Sequence, residues 1–207
     1  NLKVYASCNS SHARINFIDG SILNPPNPLA FCMLLRKHLQ GGRIIDISQR
    51  GSERIVEISF ETFNELGFNV SKKLIFEIMG KHSNIILIDM SNGKIIDSIK
   101  RISIDINRVR QILPGMIYEY PPIQEKIPFR EISENQLNSL ESNGKILLNR
   151  VSGISPAVAD ELALKINKYA YLSESINSIE NNNLKSQVYL DEKDVPKEFH
   201  ILKLTEF

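Results

Sequence analysis

Apolar residues recur along this chain with two periods, and the change from one to the other divides it. Over the first hundred residues the dominant period is two. Val56, Ile58 and Phe60 alternate with Glu57 and Ser59, the pattern of a strand with one buried face. The same criterion predicts strands over residues 2–7, 14–18, 43–48, 54–60, 73–79, 84–89 and 94–99, with Asn92-Gly93 as a tight hairpin turn before the last of them. One helical run breaks in. Phe31, Leu34, Leu35 and Leu39 share a helix face that Asn27 can cap, Pro28 can start and Gly41-Gly42 can end. This helix, of about three turns, is expected to bury that face against a sheet.

Prolines close the strand-rich part. Pro114-Gly115 and Pro121-Pro122 interrupt any regular element, so a linker is expected over residues 118–129. Beyond it the spacing is helical, first at Ile132, Gln136 and Leu140, then over 146–151 and 156–170. Residues 173–183 are polar and Asn-rich and read as a loop or a weak helix, and strand formers return at 187–190 and 200–204. The expected fold class is α+β: a curved antiparallel sheet domain over 1–120 with a packed central helix, a small helical module over 121–175, and a strand-containing segment over 176–207.

Composition changes this picture little. A hydrophobic fraction of 42% is ordinary for a globular chain, and no membrane insertion is expected. The 25 Lys and Arg nearly balance 24 Asp and Glu, so attraction to nucleic acid has to come from local clusters rather than the net +1. Cys8 and Cys32 lack metal-ligand spacing and read as free thiols, which suits a reducing cytoplasm, although two cysteines can in principle pair. The four histidines are scattered. With no Walker loop, zinc-protease or dinucleotide motif present, no catalytic residue, metal or cofactor is expected.

Five local clusters remain as candidates. Arg36, Lys37 and His38 crowd the end of the central helix, where cations are favoured by helix polarity alone; they gain an RNA role if Arg43, Arg50 and Arg54 fold onto the same side. Glu53-Arg54 follows a glycine turn, and neighbours on a strand point to opposite faces, so the two do not simply pair. Lys81 and His82 occupy a turn, and the run Lys100, Arg101, Arg108 and Arg110 is diluted by Asp97 and Asp105, so a mixed solvated surface is the default reading and the lining of an RNA groove the alternative. Residues 146–159 resemble a helix-hairpin-helix, in which Gly153, Ile154 and Ser155 turn toward a phosphate. Ser155 can cap the second helix with Pro156 as its first residue, but Ser155 replaces the usual second glycine and Pro156 offers no amide. A nucleic-acid contact and a purely structural hairpin both stay open.

Several of these segments carry a family resemblance. FCMLLRKHLQGG, the Glu53-Arg54-Ile55 turn, EIMGKHSNIILID, RVRQILPG and Gly153-Ile154-Ser155-Pro156 occur in the order found in the amino-terminal NFACT domain of the RqcH, NEMF and FbpA proteins. The resemblance implies a sheet domain similar to the amino-terminal domain of certain DNA glycosylases, without glycosylase activity. It also implies further sequence of the same domain before Asn1, and a coiled coil and a second RNA-binding domain after Phe207. The implied function is ribosome-associated quality control: binding a large ribosomal subunit with its peptidyl-tRNA and recruiting alanyl-tRNA for untemplated alanine tailing, in the cytoplasm. Glu53 and Arg54 stand where the family carries an Asp-Arg pair implicated in tRNA recognition, with the acid one methylene longer here. Because some relatives are named for binding fibronectin or fibrinogen, a surface adhesin is the alternative.

Overall fold

The protein, seen here as a computed structural model, is described over residues 2–122 and 124–205. Its chain forms two compact units, Asn1–Pro122 and Ile123–Phe207.

The first unit is built on a five-stranded antiparallel meander of β3 (Arg43–Gln49), β4 (Ile55–Phe63), β5 (Asn69–Glu77), β6 (Asn84–Asp89) and β7 (Ile95–Ser98), preceded by a hairpin of β1 (Val4–Ser7) and β2 (Arg14–Phe17). Sequence neighbours pair throughout, as short turns such as Asn92-Gly93 allow; Gly93 has φ +69, the left-handed geometry such a turn requires. Both faces of the sheet are covered. On one face Ile55, Ile75, Ile86, Ile88 and Ile95 pack with Ile112 and Tyr118 from the returning segment. On the other, Ile58, Leu74, Phe76, Ile85 and Leu87 meet helix α1 (Ala30–Leu39) through Phe31, Leu34, Leu35 and Leu39. Alternation in β4 therefore does not separate core from solvent: Glu57 is only 6% exposed. Edge strand β3 is exposed at every residue, including Ile44, Ile45 and Ile47.

Helix α1 departs from expectation at its start. It begins three residues after Asn27, with Leu29 as an extended N-cap whose carbonyl accepts from Met33 N–H and no side-chain cap. Pro28 disfavours helical geometry at the residue before it, so Asn27 is left outside the helix. Gly41 ends it as expected, at φ +78. The apolar face is packed but half-buried rather than fully enclosed.

Much of the expected linker belongs to this unit. The Tyr118 hydroxyl donates to Glu77 at 2.8 Å and the Tyr120 hydroxyl donates to Glu57, so the chain stays attached to the sheet up to the proline pair. Ile123, also within that stretch, lies outside the described residues.

The second unit holds helices α2 (Glu134–Ser139), α3 (Gly144–Arg150), α4 (Pro156–Leu164) and α5 (Lys168–Glu180). They enclose Leu137, Leu147, Val151, Val158, Ala159, Leu162 and Leu172. A short parallel bridge joins β8 (Ile127–Pro128) to β9 (Val151–Ser152), and β10 (Gln187–Leu190) pairs with β11 (Pro196–His200). Of the two readings of the Asn-rich stretch, loop or weak helix, the structure has the helix as far as Glu180 and a turn beyond it. Asn167 caps α5 by accepting from Ala170 N–H, and Leu172 and Ser175 are buried, so packing holds a polar sequence helical across position 175 and on to Glu180. The second strand of the last pair also starts earlier than predicted, at Pro196.

Candidate functional site

The near-zero net charge hides a division between the units. The first carries 15 Lys and Arg against 11 Asp and Glu, or +4; the second carries 10 against 13, or −3. Within the first unit, the cations expected to form one cluster lie at two ends of the sheet.

At the β4–β5 hairpin end stand Arg36, Lys37, His38 and Arg43. Lys37 pairs with Glu65 at 2.7 Å and Arg43 with Glu61 at 2.7 Å, while Arg36 reaches the Met33 sulfur at 3.8 Å. Burial, with Lys72 and Lys37 nearby, holds the His38 imidazole below its usual pKa. This end is thus largely neutralised by its own side chains. Beneath it Lys72 pairs with Asp89 at 2.5 Å; burial opposes ionisation of Asp89, yet hydrogen bonds from Lys72 and Ser91 prevail and its pKa falls to about 2.

The opposite end is built differently. Between β3 and β4 the chain reverses through a four-residue turn in which Arg50 C=O accepts from Glu53 N–H at 2.9 Å, with Gly51 at φ +51 where a side chain would be strained. The Gln49 side chain donates to Glu53 C=O at 2.8 Å, and Ile78 N–H donates to Arg54 C=O at 2.8 Å, tying the turn to the strand pair beside it. Glu53 and Arg54 therefore sit on a braced turn rather than on a strand. Both are exposed, and neither side chain has a hydrogen bond or ion pair among the described residues.

The next turn at this end, a single 3-10 turn over Gly80–His82, presents Lys81 and His82, also exposed and unpaired among the described residues. Fully buried Asn84 anchors the neighbouring connection: its amide donates to Lys100 C=O at 2.8 Å and its carbonyl accepts from Lys100 N–H at 2.9 Å. The Lys100 ammonium in turn donates to Cys8 C=O at 2.8 Å, bringing in the β1–β2 turn. Arg54, Lys81 and His82 thus share an end where backbone is fixed and polar side chains are left over.

Behind this end run two ion networks that the sequence did not disclose. Arg110, expected on a solvated surface, makes a bidentate pair with Glu77, at 2.5 and 3.0 Å, and donates to Glu119 C=O at 2.6 Å. Glu77 is 1% exposed, and burial together with this carboxylate pushes the Tyr118 phenol well above its usual pKa. In the second network Glu57 accepts from Tyr120 and from Lys73, the latter at 2.6 Å, and the Arg50 guanidinium lies 3.7 Å from the Tyr120 ring centroid. Tyr118 and Tyr120 meet edge to face at 5.1 Å, joining the two. Acids at alternate positions of apolar strands, Glu57 and Glu77, were the available signal, but their partners lie tens of residues away in sequence. Arg101, by contrast, is exposed and paired with Asp97.

In the second unit α3 and α4 are joined by β9 and Gly153, which has φ +84. Ser155 accepts from Val158 N–H at 3.2 Å and Pro156 opens α4, as the sequence predicts. The helices approach so closely that a Cβ at Gly144 would lie 1.8 Å from an Asp160 carboxylate oxygen. Glu161, almost fully buried, is held by Lys165 and by Thr205 N–H at 2.6 Å. Both cysteines are free, and no cluster of His, Cys, Asp and Glu fit for a metal ion occurs among the described residues. No helix among them is long and apolar enough to cross a membrane.

Comparison with known proteins agrees with this architecture. The family described as NFACT N-terminal and middle domains matches residues 1–207. The protein named Rqc2 homolog RqcH of Bacillus subtilis (strain 168) is 41% identical over 166 residues, which are 78% of this chain and 29% of that protein. The chain thus spans less than a third of the length of that relative. Among solved structures, the N-terminal part of the fibronectin/fibrinogen-binding protein from Streptococcus suis matches with TM-score 0.78 and 34% identity, over 98% of this chain and 74% of the other. The fibrinogen binding protein from Staphylococcus aureus matches with TM-score 0.80 and 28% identity, over 100% of this chain and 76% of the other.

Proposed function

This chain belongs to the NFACT family, and from that premise we propose that it is the RNA-binding part of a ribosome-associated quality-control factor. In this reading the whole protein binds an obstructed large ribosomal subunit with its peptidyl-tRNA and brings alanyl-tRNA for untemplated tailing. It works in the cytoplasm, and peptide-bond chemistry belongs to the ribosome. The observation that carries the reading is the braced turn offering Glu53 and Arg54 without internal partners, at the end of the +4 unit where Lys81 and His82 are also unpaired among the described residues. An arginine that folding leaves unsatisfied has its full bidentate capacity for phosphate or a base edge. Glu53 orients it or accepts from a base or ribose. The α3–α4 pair is read as a helix-hairpin-helix that offers Gly153, Ile154 and Ser155 to phosphate, although Pro156 removes one amide from such a cradle.

The test is made in the full-length protein. Immunoprecipitation should recover large-subunit rRNA and one enriched tRNA, and Arg54→Ala should reduce tRNA recovery and tailing while leaving the melting temperature unchanged. A second reading follows from the names of the two solved relatives, which speak of fibronectin or fibrinogen binding. Surface display with saturable fibrinogen binding, and no RNA in the immunoprecipitate, would favour that adhesin instead.

A further inference from the structure

Arg50 enters the sequence reading only beside Arg43 and Arg54 as an arginine that gains an RNA role by folding onto the same side, and the structure gives its side chain one defined contact. It opens the same four-residue turn that Glu53 closes, so the backbone fixes it beside the Glu53-Arg54 pair. Its guanidinium lies over the Tyr120 ring at 3.7 Å, close enough for a stacked cation–π contact. The ring is itself held, because the Tyr120 hydroxyl donates to Glu57 and the other oxygen of Glu57 accepts from Lys73. Burial and the Glu57 carboxylate push the Tyr120 phenol up to about 12, so it remains a donor at neutral pH.

The consequence for Arg50 lies in what stacking leaves unused. Contact with an aromatic face occupies one side of the guanidinium plane, while the N–H groups point out along its edges. No hydrogen bond or ion pair engages them among the described residues, and the acid in this network, Glu57, is already satisfied by Tyr120 and Lys73. The result is a charged fork with its long side chain already ordered, so less conformational entropy is lost when a ligand docks. Oxygens of a phosphodiester match such a fork in both charge and spacing.

We propose that Arg50, held in place by Tyr120, is a second RNA-contacting arginine of this turn and takes the phosphodiester backbone next to the nucleotide met by Glu53 and Arg54. This rests on the RNA-binding reading of the turn and adds a contact to it. Tyr120 is a positioning residue: it touches Arg50, not the RNA.

Labelled total tRNA titrated into the full-length protein at a series of salt concentrations tests both parts. Arg50→Ala should weaken binding about tenfold for all tRNAs alike, and flatten the slope of log affinity against log salt by about 0.7–0.9, the signature of one lost phosphate contact. Arg50→Lys should keep the slope and lose only part of the affinity. Tyr120→Leu should weaken binding nearly as much as Arg50→Ala, but cost nothing further when Arg50 is already alanine, because the two act through one contact. Tyr120→Phe, which keeps the ring, should change affinity about twofold or less. If Arg54→Ala weakens binding while Arg50→Ala leaves affinity and slope unchanged, the proposal is overturned and the reading of the turn stands. If neither arginine matters, that reading fails with it. An equal loss from Tyr120→Leu with and without Arg50 would overturn the positioning role. Should the alanine or leucine variants melt early, Arg50→Lys and Tyr120→Phe decide: full loss of affinity in the phenylalanine variant, or none in the lysine variant, would overturn the proposal.

Discussion

Arg43 and Arg54 bracket a single strand from its two ends: Arg43 stands opposite Glu61 across the β3–β4 ladder, whereas Arg54 immediately precedes Ile55, where β4 begins. At about 3.4 Å per residue the two lie roughly 24 Å apart along the sheet. Arg43 has a carboxylate partner and Arg54 has none among the described residues. Arg43→Ala should therefore change tRNA affinity by less than about twofold, since an exposed pair of this kind is worth about 0–1 kcal/mol to the fold and offers little free charge to a ligand. Arg54→Ala should lower it about tenfold. Equal losses in filter binding from both variants would mean that RNA spans the whole sheet.

Acid stability should report the Lys72–Asp89 pair. The folded-state pKa of Asp89 is depressed from the usual 3.8 to about 2. Its contribution, about 2 kcal/mol, is therefore fully present above pH 4 and is lost as pH falls through about 2. Urea midpoints of the wild-type protein should drop across that window. Lys72→Met should be less stable at neutral pH and show a shallower drop below pH 4; a parallel pair of pH curves would rule the linkage out.

The Glu77–Arg110 bridge is enclosed, with side-chain exposures of 1% and 10%. Arg110→Met should cost about 3–5 kcal/mol because it strands a buried carboxylate, and the double variant Glu77→Leu with Arg110→Met should recover much of that loss. Chemical denaturation of the four proteins of this cycle measures it. A double variant as weak as the single would show that Tyr118, rather than the ion pair, sets the stability.

Limited proteolysis should cut between residues 121 and 126, and spare both Tyr118–Tyr120 and the Asn-rich stretch of α5. The tyrosines are hydrogen-bonded to buried acids, and α5 is anchored by Leu172 and Ser175. Early cleavage within residues 173–180 would contradict the helix.

What could be read beforehand follows from which contacts are local. The strand order, the Asn92-Gly93 turn, the apolar stripe of α1 and the Ser155 cap all depend on residues a few positions apart, and their periodicity or turn chemistry is written in adjacent letters. The Arg50–Tyr120 stack and the Glu77–Arg110 bridge join positions 70 and 33 residues apart, so nothing in their neighbourhoods marks them. The same limit explains why the expected linker, which contains the boundary between the units, begins too early: Tyr118 and Tyr120 stand just before the prolines yet belong to the sheet. Arg43 and Arg54 looked like one cluster because they are eleven positions apart, but a hairpin turn between them sends them to opposite ends. Asn-rich α5 looked weak because local propensity cannot see the core it packs on.

Edge strand β3 carries a last consequence. No further strand pairs with its outer backbone among the described residues, and three isoleucines are exposed along seven residues that contain no proline. Chemically this is an unfinished ladder, able to template any extended chain that approaches it, including another copy of itself. A preparation of these 207 residues alone should thus lose material with increasing concentration, by strand-to-strand accretion that mimics weak or poorly saturating binding. Ile47→Lys, which charges the strand without touching the 50–54 turn, should suppress that accretion in light scattering and leave a monodisperse protein in which the affinities of Arg50 and Arg54 variants can be compared.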